Sequence, residues 1–237
     1  MGENVLVEMW RRVDLSKPPY CFLDDTDKII KENKSFLFNT YNECVNNFDA
    51  VKDHPKRLHL GLIPVPFLGN LKMAKIFILT ANPGFIVTDY EDEFENRKFR
   101  ELLINNLRQE NLGEYPFSSL NPEFAWTGGF KYWSEKLGDI IEELIRANHL
   151  RYFQALRYLS QLIAVLEYIP YHSEIDPGIY NLPSSDAIKN YVIDTLVPRA
   201  KSNEIIIVII RKVKEWGLTE THNVILYDPG QSRWKFR

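Results

Sequence analysis

A chain of 237 residues, 45% hydrophobic and 26% charged with a net charge of −3, has the makeup of an ordinary soluble globular protein sized for one α/β domain. Two cysteines, Cys21 and Cys44, cannot build a zinc ribbon or a four-cysteine iron–sulfur cluster, and they point to a reducing, cytoplasmic setting. The longest apolar run, residues 205–210, is far too short to span a bilayer, so no membrane partner is expected.

Residues 1–60 read as an N-terminal helical extension, with a loop at "DLSKPPYCFLDD" and helical turns in "TDKIIKENKSFLFNTYNECVNNF". The Pro- and Gly-punctuated "GLIPVPFLGN" reads as a lead into the first strand. That strand, Ile76–Thr80, is followed by three more short β-branched runs, Leu162–Leu166, Ile205–Ile210 and Val224–Tyr227. All four are nearly continuous in apolar residues, as strands covered on both faces should be.

Between the first two strands, "DYEDEFE" at 89–95 is the most acidic run and reads as a solvated face. Phe99, Leu102 and Leu103 mark one helix, and Leu137, Ile140, Ile141, Leu144 and Ile145 another. The aromatic-rich stretch 114–137 reads as a satellite hydrophobic cluster or as a lid that stacks on a flat ring. Between the second and third strands, Ile188, Tyr191, Val192, Thr195 and Leu196 share a helix face that Ser184 or Ser185 can cap. "RKVKEWGL" makes a short last crossover. Strands separated by helices imply a mostly parallel sheet in an α/β fold.

In such sheets ligands lie beyond the carboxyl ends of the strands. The first end carries Asn82-Pro83-Gly84-Phe85, the second Glu167 followed by Tyr171-His172-Ser173, the third Arg211, and the fourth Asp228-Pro229-Gly230-Gln231-Ser232-Arg233. Asn-Pro-Gly and Asp-Pro-Gly are also turn sequences, with Gly accepting a positive φ. Asn82 at the exit of a central strand can donate and accept toward a ligand or a water, and Gly84 would let backbone N–H groups approach it. Glu167 is the one carboxylate in an apolar passage and would titrate high unless it paired, with Arg211 the obvious partner. Glu167 and His172 could alternatively act as an acid–base pair in a hydrolase. His54 and His59 show no metal-ligand spacing, and neither a metal nor a cofactor is expected.

The order "TANPGF", a later strand-end loop, and "DPGQSRW" resembles the motif order of the uracil-DNA glycosylase superfamily, in particular its Asn-Pro-Gly, mismatch-specific branch. "EYIPYHS" and "VIIRKVKEW" also resemble segments of a group of uncharacterised bacterial proteins with this motif order. The resemblance covers roughly residues 60–237 and implies a three-layer α/β/α sandwich around a four-stranded parallel sheet. It further implies a protein that binds DNA or a nucleotide, flips a base out of the stack and hydrolyses its N-glycosidic bond. Carried over, Asn82 would position water or stabilise the sugar cation. Phe85 would stack on the base, and the 228–233 loop with Gln231, Ser232 and Arg233 would press into the DNA groove.

The catalytic set implied is Asn82, Glu167 and His172, with Pro83, Gly84, Phe85, Tyr171, Ser173 and Arg211 in the binding site. Three departures stand out: Asn82 cannot be a general base, Glu167 stands where the superfamily often has an amide, and no His-Pro-Ser marks the last strand. Residues 187–237 carry a net +4, leaving −7 for the rest, which suits a nucleic-acid surface at that end. A non-catalytic nucleotide- or protein-binding module on the same fold is the alternative.

Overall fold

The computed structural model describes residues 2–31, 34–179 and 181–227. The chain opens with α1 (Gly2–Arg11), α2 (Leu23–Lys31), β1 (Ser35–Phe36), α3 (Tyr41–Asn46), α4 (Phe48–Asp53) and β2 (Leu58–His59), which pairs in parallel with β1. Next come β3 (Phe67–Gly69), β4 (Ile76–Thr80), α5 (Thr88–Glu95) and α6 (Arg97–Arg108). Then α7 (Gly128–Lys136), α8 (Gly138–Asn148) and α9 (Tyr152–Leu162) lead into β5 (Ile163–Glu167). The chain continues with α10 (Pro183–Tyr191), a π-helical turn at Val192–Leu196, α11 (Val197–Lys201), β6 (Ile206–Ile209), α12 (Val213–Trp216) and β7 (Val224–Leu226).

The central sheet has the order β3-β5-β4-β6-β7, with β5, β4, β6 and β7 parallel. All four expected strands are present within a residue or two of their expected ends, but the sheet has five strands rather than four. The additional one is β3, antiparallel to β5, with Phe67 opposite Leu166 and Gly69 opposite Ala164. Pro64 and Pro66 are tolerated beside it because β3 is an edge strand whose outer side needs no ladder donors. Gly69 has φ +100°, and a Cβ there would stand 2.5 Å from the Ile163 carbonyl oxygen, so β3 can approach β5 only through glycine.

Side-chain alternation along the strands divides the sheet into two faces. Phe77, Leu79, Ala164, Leu166, Ile207 and Ile209 belong to one buried cluster, and Ile78, Ile163, Val165, Val208 and Ile210 to another. Continuous apolar strands are therefore explained by cover on both sides. The first cluster includes Leu6, Val7 and Trp10 of α1, so the N-terminal segment contributes to the main core rather than hanging beside it. The second takes in Phe117, Leu120, Phe130 and Trp133 from the aromatic-rich stretch, which thus covers a sheet face instead of forming a satellite.

Two helical details differ from expectation. α10 begins at Pro183, with no side-chain cap from Ser184 or Ser185, because the Ser184 N–H donates instead to Asp25 Oδ1 of α2 at 3.0 Å. α9 runs without a linker into β5, so Leu162 closes a helix rather than opening a strand.

Candidate functional site

Backbone hydrogen bonding continues past the strands and fixes their exits side by side. Tyr168 N–H donates to the Thr80 carbonyl at 3.3 Å, Ile169 N–H to Ala81 at 2.8 Å, and Ile210 N–H to Leu79 at 2.9 Å. The residues that follow β4, β5 and β6 therefore share one end of the sheet. β4 leads on to β5 on one side, while its other neighbour β6 leads on to β7 on the opposite side, which opens a crevice at their ends.

That crevice is a cavity of about 390 Å³ lined by Asn82, Pro83, Gly84 and Phe85 after β4, Glu167 and His172 from β5 and its loop, and Arg211 after β6. Its other wall comes from α5 and the α7 region, with Asp89, Glu93, Gly128, Gly129, Tyr132 and Trp133. The volume falls within the range of small-ligand pockets.

Asn82 is held by its amide nitrogen, which donates to Ser173 Oγ at 2.9 Å, to the Ser173 carbonyl at 3.2 Å and to the Pro83 carbonyl at 2.8 Å. Two carbonyl acceptors on one side settle which end of the amide is which, so Oδ1 is the end that forms no hydrogen bond among the described residues. Ser173 is fully buried, and its hydroxyl donates to the Ile175 carbonyl at 2.8 Å. It orients Asn82 rather than lining the cavity.

Glu167 is 6% exposed, and its Oε2 has no hydrogen-bond partner. Burial pushes its carboxyl up to about 8 against the opposing pull of Arg211, so at neutral pH it is largely protonated. Arg211 itself is exposed and sits beyond ion-pair distance, so the two do not form the strand tie expected of them.

His172 is stapled between two backbone carbonyls, Nδ1 to Gly84 at 2.9 Å and Nε2 to Ile63 at 3.1 Å, while burial lowers its pKa. The ring lies between the Asn82 loop and the segment before β3 with a carbonyl oxygen facing each nitrogen, and in its neutral form it donates to one of the two. It makes no hydrogen bond to Glu167.

Tyr171 turns away from the cavity. Its hydroxyl donates to Asp25 Oδ2 at 2.5 Å and accepts from Phe22 N–H at 3.1 Å, within the core beneath α1. Phe85 reaches the cavity but stacks one face on His59, with ring centroids 3.5 Å apart. Gly84 does not have a positive φ, and a Cβ added there would meet nothing within 4 Å. Residues 82–86 form an irregular loop rather than the expected tight turn, and the freedom that Gly84 leaves is outward. Gln231, Ser232 and Arg233 lie outside the described residues.

The α5 wall was read from the sequence as solvated, yet Tyr90, Asp92 and Glu93 are buried. Glu93 Oε2 accepts from the Ile63 N–H at 2.9 Å and lies 3.8 Å from Arg100 Nη1, while burial raises its carboxyl to about 8. Asp89 Oδ2 accepts from the Ile86 N–H at 2.8 Å and is likewise raised by burial, to about 7. Tyr90 and Phe94, four apart within the acidic run, are the signal of a buried helix face, and Glu93 lies next to them on it. Among the described residues no three His, Cys, Asp or Glu side chains are grouped to hold a metal. No helix among them is long and apolar enough to cross a membrane.

Comparison with protein-family models, with curated proteins and with solved structures gives no match.

Proposed function

We propose that the cavity at the strand ends binds a nucleobase or nucleotide, on an α/β/α fold of the uracil-DNA glycosylase type, and hydrolyses the N-glycosidic bond of a base turned out of the stack. The observation that carries this reading is that Asn82, Glu167 and Arg211, from three adjacent strand exits, line one cavity with the Asn82 amide nitrogen pinned and Oδ1 unused.

Asn82 Oδ1 accepts from a water and aims its oxygen at the sugar carbon that the base leaves. The electron pair of the broken bond leaves with the base, which takes up a proton to become the free base; because an amide cannot take up a proton, the water's own proton goes to solvent once that bond has largely broken. Glu167, kept protonated by burial, offers one O–H donor and one acceptor to a base edge, a pattern that pairs with adjacent donor and acceptor atoms such as those of uracil, hypoxanthine or cytosine. Phe85 and Tyr132 supply ring faces, and Arg211 at the exposed margin meets phosphate.

A non-catalytic binding module is the second reading, favoured by the position of His172 between two backbone carbonyls, which leaves its ring ill placed to give a proton to a departing base. DNA duplexes and single strands carrying uracil, hypoxanthine or modified cytosine test the first reading. Abasic sites should form with the parent protein and not with Asn82→Ala. If no substrate in the panel is cleaved while nucleotides still raise the melting temperature, the binding module replaces the enzyme.

A further inference from the structure

The walls of the cavity combine two kinds of group. Four carboxyls line it, from Asp89, Glu93, Glu167 and Glu174, against the single guanidinium of Arg211. Aromatic rings from Phe85, Phe99, Tyr132 and Trp133 make up much of the remainder. A neutral base has no need of so many carboxyls. Burial raises those of Asp89, Glu93 and Glu167, and a cation entering beside them would draw off their protons and be faced by carboxylates. Rings and carboxylates together are how proteins hold a delocalised cation, since the negative face of each ring attracts positive charge and a carboxylate supplies the counter-ion.

Glu167 adds an independent sign. It is over nine-tenths buried, lines the cavity and leaves Oε2 without any partner. A buried polar oxygen left unpaired is costly unless something outside the protein completes it. Glu93 and Asp89, by contrast, each already accept one backbone N–H and have a second oxygen to give.

We propose that the cavity takes its base as a cation, an N-alkylated purine or pyrimidine whose positive ring lies against the aromatic wall with Glu167 and the Asp89–Glu93 pair as counter-ions. The inference rests on the nucleobase reading above and specifies its substrate class. It also suits the chemistry available. When the bond from the sugar carbon to the glycosidic nitrogen of a base alkylated at another ring nitrogen breaks, its electron pair returns to the ring and cancels the positive charge. The base leaves neutral without receiving a proton. Water then bonds to the sugar carbon and gives its proton to solvent. A site whose histidine is not placed to protonate the base meets that requirement.

The test is calorimetric binding at neutral pH of 1-methyladenosine and 3-methylcytidine, both cationic, beside adenosine, cytidine and tetramethylammonium. Each methylated nucleoside should bind at least about tenfold more tightly than its parent, which corresponds to about 1.4 kcal/mol. That ratio should fall by about tenfold in Glu167→Gln and in Asp89→Asn, a change that a folding defect alone would not produce. Equal affinity for methylated and parent nucleosides overturns the charge inference and leaves the nucleobase reading standing. Binding of no nucleoside overturns both. Tetramethylammonium binding as tightly as the methylated nucleosides shows a cation site that does not read a base, and so overturns the substrate class.

Discussion

The two walls of the cavity are built in opposite ways. On the strand-end wall, Asn82 and Glu167 sit where backbone ladders running past β4 and β5 leave almost no freedom, and each presents an oxygen that the chain itself does not use. On the α5 wall, Asp89 and Glu93 already serve the protein, holding the Ile86 and Ile63 N–H groups. The comparison teaches that polar groups in a cavity can have two origins: one wall leaves an oxygen unpaired, and the other has carboxyls that hold backbone N–H groups of the fold. Substitutions should therefore separate function from stability along this line.

The largest effect is expected on the strand-end wall. Asn82→Ala removes the group proposed to position water, and turnover should fall by about 10²–10³-fold, with a smaller stability cost of about 1 kcal/mol for the carbonyls that lose their donor. Ser173→Ala removes one of three acceptors of the Asn82 amide and keeps the two carbonyls that orient it, so a smaller loss is expected, restored by Ser173→Thr only where the added methyl fits. A single-turnover assay on the best substrate reads both. Equal losses of activity and stability in Asn82→Ala would erase the distinction between the walls.

Next in size is Glu93→Ala on the other wall. It strips the Ile63 N–H of its acceptor and leaves Arg100 beside an emptied space, which should cost about 2–3 kcal/mol in urea unfolding. Glu93→Gln keeps a carbonyl oxygen for Ile63 and should cost less than about 1 kcal/mol. Similar losses for both would mean that charge near Arg100, and not the hydrogen bond, matters there.

The pH dependence of stability distinguishes the walls more finely. Glu167 and Glu93 carry folded pKa values of about 8 against an ordinary 4.5, so between these values the folded state binds more protons than the unfolded state. Stability is then fully expressed below about pH 4.5 and declines as pH rises toward about 8, which is the opposite of a salt-bridged carboxylate. Replacing Glu167 by Gln removes one titration, so the decline should be shallower, and at pH 9 the variant should exceed the parent by about 1–3 kcal/mol. Parallel pH profiles for the two proteins would mean that Glu167 finds a solvated or paired state when ionised.

Much of this was legible in the chain before the fold was seen. Four β-branched runs gave the parallel strands, and reading their exits brought Asn82, Glu167 and Arg211 to one end because a parallel sheet aligns all its carboxyl ends. What escaped has physical reasons. β3 is only three residues long and sits between prolines and a glycine, so its pairing is set by β5 and not by its own pattern. The α5 wall was hidden because charge dominated the reading of 89–95, although the four-residue spacing of Tyr90 and Phe94 marks a buried stripe. Tyr171 and His172 are neighbours with opposite destinations, one in the core and one at the cavity, and no local pattern separates them once a loop abandons regular periodicity.

The smallest expected effect bears on the feature that first drew attention to the site. Asn-Pro-Gly suggested a turn that needs glycine, yet Gly84 has no positive φ and its missing Cβ would meet nothing within 4 Å. Gly84→Ala should therefore change unfolding free energy by less than about 0.5 kcal/mol, and slightly upward if anything, because alanine restricts the unfolded chain. The absent side chain lies on the lining of the cavity, where it leaves room for a ligand and not for a neighbouring element. A methyl group there should weaken ligand binding while leaving the fold intact, the reverse of what a turn glycine would show. A destabilised Gly84→Ala with unaltered binding would return Asn82-Pro83-Gly84 to a purely structural role and, with it, remove the sharpest difference between the strand-end wall and the α5 wall.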